Sequence, residues 1–218
     1  MEGLILGIEL CDDYSQISCF SSRMTEPEPV YYQPEDENKK ENVLIPMVVC
    51  KKKGKDEWLI GEEACRTALF NDGTTVDKLV KMIHDDKFAT IEGVRYSAGE
   101  LMRRYLEKLL LLPKEKYGTD EICSVVFTVQ TLDGRFIDCL VRTAEECGID
   151  RSAVHVVSHT ESFVYHTISQ KKEVWANLTS LFDLTDEGLH YYEMKVIRGC
   201  VPQMIEASHE KMQEGFRL

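Results

Sequence analysis

Two short acidic runs carry the side chains of this sequence best suited to chemistry. The first is Glu9-Leu10-Cys11-Asp12-Asp13 and the second is Asp183-Leu184-Thr185-Asp186-Glu187. Each leaves the end of a β-prone stretch for a polar turn, so each presents carboxylates at a strand end. Hard divalent cations take clustered carboxylate oxygens, which makes two such turns a candidate cation site. The plainer reading of Asp12, Asp13, Asp186 and Glu187 is that they are solvated turn residues. His155, His159 and His166 flank a strand-to-helix turn without fixed ligand spacing. Ser158, His159 and Glu161 offer a hydroxyl, a base and an acid, yet adjacent residues seldom point at each other and no oxyanion turn accompanies them.

The cysteines argue against two other chemistries. Eight are present, but none lies in a C-x-x-C pair, the usual pattern of structural zinc. Cys19 and Cys123 sit among β formers, and Cys139 and Cys147 share one helical stretch. They read as buried, reduced thiols of a cytosolic protein. The net charge is −12, from 26 basic and 38 acidic side chains, which repels a phosphate backbone. The densest basic run, Lys51-Lys52-Lys53 with Lys55, reads as a solvated hairpin tip beside Gly54 and not as a nucleic-acid patch. Neither a basic leader nor an apolar run of about 18 residues occurs, so a cytoplasmic location is expected, with no membrane partner.

These residues need elements to hold them. Leu4–Leu10 and Ser15–Phe20 read as a β-hairpin. Thr25–Asn42 contains Pro27, Pro29 and Pro34 among charges and reads as a loop too polar to pack. Val43–Cys50 and Glu57–Gly61 read as a strand pair, followed by short helical stretches at Glu62–Phe70 and Val76–Ile83. Phe88–Tyr96 reads as a hairpin turning at Glu92-Gly93. Ser97 with Glu100 forms a capping box for a helix that Pro113 ends near Leu112. From Ser124 to Ile168 the pattern is strand (Val125–Val129), helix (Gly134–Cys147, stopped by Gly148), strand (Val154–Val157) and a helix from His159. That is the length a parallel crossover needs. Strands at Trp175–Leu184 and Leu189–Ile197 follow, and Pro202 opens a predicted helix reaching Glu214. Alternation of strands and helices makes the class α/β, a mixed sheet flanked by helices.

Four motifs in order give this chain a family resemblance. Leu6-Gly7-Ile8-Glu9-Leu10-Cys11-Asp12-Asp13-Tyr14-Ser15 is similar to I-G-I-D-L-G-T-T-N-S. Ile45-Pro46-Met47-Val48-Val49 with Ile60-Gly61-Glu62-Glu63-Ala64 is similar to I-P-S-V-V with V-G-E-x-A. The stretch Ser124–Ile168 resembles V-I-T-V-P, a helix ending in A-G, and I-N-E-P-T-A-A. Leu181 to Gly188 resembles V-x-D-L-G-G-G-T. These motifs belong to the actin, sugar-kinase and DnaK-type chaperone superfamily, and the likeness to the DnaK-type chaperones spans most of residues 4–200. It implies an actin-like ATPase (ribonuclease H-like) lobe over 1–177, with a small inserted subdomain at about 43–96. A second lobe would begin at 178–218, cut from a longer chain. It also implies ATP or ADP with Mg²⁺ held between the two hairpin turns. Gly7, Glu9, Asp12, Asp13, Asp183, Asp186 and Gly188 would line the nucleotide site, with Glu9 and Asp183 facing the metal.

The departures fall at the phosphate turns. Backbone N–H groups of small residues must point at phosphate oxygens there, which is why glycine is used. This chain has Cys11, Asp12 and Asp13 in the first turn, and Thr185, Asp186 and Glu187 in the second. A carboxylate ~4 Å from a phosphate costs about 1 kcal/mol in bulk water and several times more near a protein surface. Gln130 stands where the chaperone strand has Pro, and His159-Thr160-Glu161 where it has E-P-T. The expected function is therefore a non-hydrolysing, weakly binding relative that acts through a protein partner. An ATPase completed by a missing lobe and a self-assembling, actin-like structural protein are the alternatives.

Overall fold

Alternation of apolar and polar residues sets the first two strands. In β1 (Leu4–Leu10) the side chains of Leu4, Leu6, Ile8 and Leu10 are buried, and in β2 (Tyr14–Phe20) those of Ser15, Ile17 and Cys19 are. The strands pair antiparallel with Ile8 opposite Ile17, as period-two patterning requires. The computed structural model describes residues 3–31, 42–119, 121–171, 178–185, 188–197 and 203–214. It divides into two compact units, Met1–Val156 and Val157–Leu218. The lobe boundary expected at 177/178 falls inside the second.

In the first unit, β3 (Glu28–Pro29) and β4 (Ile45–Pro46) both pair with β2. β5 (Val49–Lys52) pairs with β6 (Trp58–Ile60), α1 (Gly61–Leu69) follows, and β7 (Gly73–Val76) returns to pair with β5. Next come α2 (Leu79–His84) and a hairpin of β8 (Phe88–Ile91) and β9 (Val94–Ser97). The hairpin turns at Glu92 and Gly93, where φ is 49° and 80°, the twist that two-residue hairpin loops favour. α3 (Ala98–Leu109) opens on the capping box of Ser97 and Glu100, and α4 (Leu111–Tyr117) continues from it. β10 (Ile122–Val129), α5 (Gly134–Glu146) and β11 (Val154–Ser158) form the crossover unit. Asp133 caps α5, accepting from the N–H groups of Arg135 and Phe136.

The largest sheet has six strands in the order β11-β10-β1-β2-β3, with β4 also on β2. β1 and β10 run parallel, Leu10 opposite Val129. Val125 and Phe127 of β10, Leu101, Tyr105 and Leu109 of α3, and Phe136 and Leu140 of α5 share one buried cluster with β1. A polar pin crosses this core. Tyr105 Oη donates to the Ile45 carbonyl at 3.3 Å and lies 2.5 Å from Ser15 Oγ. The second unit holds α6 (His159–Ser169) and an antiparallel sheet of β12 (Thr179–Thr185), β13 (Gly188–Ile197) and β14 (Gln203–Glu214).

Several expectations are corrected. The helix expected from Pro202 to Glu214 is the strand β14, paired along β13 from Ile197↔Gln203 to Gly188↔Glu214. Pairing with a neighbour supplies its backbone partners, which outweighs local propensity. Pro202 itself lies outside the described residues. Pro113 does not end a helix: α3 stops at Leu109, and Pro113 is the third residue of α4, where no intrahelical acceptor awaits its missing N–H. Val76 ends a strand opposite Val49 and does not begin a helix. Within the expected loop Thr25–Asn42, Val30 is buried and Glu28–Pro29 pair with β2; residues 32–41 lie outside the described residues. On α1, Ala64 is buried, whereas Leu69 is 81% exposed. The strand expected from Trp175 starts at Thr179 among the described residues.

Tyr105→Phe removes the pin and leaves the Ser15 hydroxyl and the Ile45 carbonyl in the core without it. Urea unfolding should show a loss of about 1–3 kcal/mol. The carboxyls of Asp133 and Glu100 are both held below the usual range, Asp133 first by the Phe136 N–H and Glu100 by the Ser97 N–H. Depressed folded values stabilise above the unfolded pKa and are lost as pH falls through the folded value. Stability should therefore drop below about pH 4. An Asp133→Asn, Glu100→Gln chain should show a smaller drop in melting temperature over that range.

Candidate functional site

The first acidic turn is held by its own unit. The N–H of Cys11 donates to the Tyr14 carbonyl at 2.9 Å, and that of Met47 to the Asp13 carbonyl at 3.0 Å. Cys11 and Asp12 are only 6% and 8% exposed. Asp12 Oδ1 accepts from the backbone N–H of Lys81, the third residue of α2, at 2.9 Å. α2 has no side-chain cap from its preceding residue, Lys78, whose ammonium offers no acceptor. Asp12 thus caps α2 from another element, placing a negative charge at the positive end of the helix. Asp13 pairs with the Lys78 ammonium.

Gly7 and Glu9 lie on the half-buried face of β1, away from Leu6 and Ile8. A Cβ at Gly7 would come within 2.8 Å of Ser18 Oγ, so close packing of β2 explains that glycine. Glu9 stands between Gln16 of β2 and Thr128 of β10. Parallel pairing of Leu10 with Val129 brings the turn after Leu10 and Gln130 to the same end of the sheet. The structure therefore gathers Glu9, Asp12 and Asp13 at one sheet end, but aims the last two at α2.

In the second unit Asp183 holds a histidine. His159 Nδ1 lies 3.0 and 3.2 Å from the two Asp183 carboxylate oxygens, and both side chains are largely buried. His159 is the first residue of α6; Ser158 caps that helix, accepting from the Glu161 N–H at 3.1 Å. A carboxylate on one ring nitrogen fixes the orientation of the imidazole. Gly188 opens β13 opposite Thr185 with φ 131°, a conformation that favours glycine. Asp186 and Glu187 lie outside the described residues. His155 and His166 are exposed.

One pair of residues escapes a reading of the sequence. His190 Nδ1 and His209 Nε2 are 3.0 Å apart across β13 and β14. A helical reading of 203–214 hides this neighbourhood, and the signal that reveals it is strand register. Of the cysteines read as buried, Cys19 is buried, whereas Cys123, Cys139 and Cys147 are only partly so. Among the described residues none forms a disulfide, and burial pushes Cys19 up to about 11, away from the reactive thiolate.

The first unit also carries a groove of about 340 Å³ between α3 and α5, lined by Arg103, Arg135, Asp138, Arg142 and Glu146 among others. Arg103 pairs with Glu107 and Glu146. Arg135 and Arg142 form no ion pair among the described residues.

The chain belongs to the C-terminal family of unknown function DUF5716, whose model matches residues 31–217. No curated protein matches it significantly. Among the described residues no helix is long and apolar enough to cross a membrane.

Asp12→Ala removes the cap of α2. The expected loss is about 1 kcal/mol in urea unfolding, with faster amide exchange at Lys81 than at residues of α5.

Proposed function

We propose that this chain is a degenerate actin-like, DnaK-type nucleotide-binding lobe that binds Mg²⁺ and ATP or ADP weakly or not at all and acts through a protein partner in the cytoplasm. The single observation that carries this reading is the engagement of Asp12 by the Lys81 N–H at 2.9 Å. A phosphate approaching the first turn would meet a carboxylate already committed to α2, and a like charge there opposes it. The order of elements supports the same ancestry: a first hairpin, an inserted segment, a crossover unit on β10 beside β1, and a second hairpin.

The partner half of the reading rests on the surface of the first unit. Leu69 and Phe70, consecutive at the end of α1, are 81% and 75% exposed. Adjacent large apolar side chains in water mark a contact surface more often than they mark a catalytic one. Arg135 and Arg142, without an ion pair among the described residues, add basic side chains to a chain of net charge −12, suited to an acidic protein segment.

Calorimetry of the chain with ATP and Mg²⁺ tests the nucleotide half. No binding at micromolar nucleotide is expected. Micromolar affinity accompanied by turnover would overturn the reading and favour the ATPase alternative, in which Asp183→Asn abolishes hydrolysis.

A further inference from the structure

We propose that His190 and His209 form a binding site for a divalent transition metal, Zn²⁺ or Ni²⁺, clipping β13 to β14 in the second unit. The facing nitrogens, His190 Nδ1 and His209 Nε2, stand 3.0 Å apart. Two imidazole nitrogens on a tetrahedral ion with bonds of ~2.05 Å are about 3.3 Å apart, so a few tenths of an ångström of ring movement opens room for the ion. Neutral imidazole is a nitrogen ligand of the kind these metals prefer. A shift of one ring to its other tautomer leaves both facing nitrogens with lone pairs.

The surroundings hold the rings in place and favour a cation. His209 stacks on Tyr192, with centroids 4.2 Å apart and planes 10° apart, and His190 lies nearly parallel to Tyr192 at 6.3 Å. Register places Asp183 opposite His190, and Glu206 opposite Met194 on the same face as His209. Lys211, opposite His190, is exposed and extends its charge into water. Water completes the coordination, as is usual where a chain offers fewer ligands than the metal takes. The site involves no nucleotide and stands apart from the preceding reading.

The test is histidine-ring NMR of the whole chain, kept reduced, titrated separately with Zn²⁺ and Ni²⁺. The His190 and His209 ring resonances should shift together and saturate at one equivalent. Loss of an outer-shell partner alone weakens metal sites 10–100-fold, so His190→Gln and His209→Gln should each weaken binding at least about tenfold. His155→Gln should leave it unchanged. Ring resonances of the unaltered chain that ignore both metals would overturn the proposal whether or not the variants fold. Zn²⁺ taken up equally by His190→Gln would also overturn it, by assigning the ion to cysteines.

Discussion

Burial of one face of β1, with a strand paired along each of its edges, is the constraint on which the first unit depends. Leu4, Leu6, Ile8 and Leu10 are each at most 2% exposed, and each contributes roughly 1.5–3 kcal/mol by leaving water. Satisfying the backbone of so buried a strand requires a partner on each side. β2 is supplied by the next turn of chain; β10 comes from Ile122–Val129, far along the sequence. Parallel pairing demands a long connection, and everything from β3 to α4 is accommodated within it. The same pairing fixes where the acidic turn after Leu10 must lie, beside the end of β10.

Polar groups then decide how the inserted elements dock. Tyr105 carries a hydroxyl into the core and spans α3, β2 and β4 through Ser15 and Ile45. Asp12 reaches across to the first turn of α2. Such a carboxylate is satisfied by backbone N–H donors without a ligand, and a group so committed is a poor start for a phosphate site. In the proposed reading, the partner contact falls outside this turn, at the exposed end of α1 and the arginines of α5. The second unit follows a different logic. Among its described residues Tyr192 and Met194 are buried, while Phe182 and Leu184 on β12 are 60% and 49% exposed. Its sheet face bearing Asp183, His190, Tyr192 and His209 is ordered by ring stacking and hydrogen bonds.

Where local rules act alone, the chain was readable from its residues. The capping box at Ser97 and Glu100, the Glu92-Gly93 turn, the Asp133-to-Glu146 helix and the first hairpin each follow from a few neighbouring side chains. The acidic turn was also legible as a concentration of carboxylates. Its direction was not, because the donor that engages Asp12 belongs to Lys81 and reaches it only through the fold. Pro113 misled for a related reason: proline stops a helix or starts one according to where the preceding helix has already ended.

Composition and periodicity by themselves determined the α/β class, the crossover unit and the first acidic turn. Tertiary structure decided which strands pair, that 203–214 is a strand, that Asp12 caps α2, and that His190 faces His209. The physical reason is range. Caps, turns and amphipathic faces are fixed by contacts within a few residues, whereas strand register and tertiary caps join groups whose spacing in sequence carries no trace of their meeting.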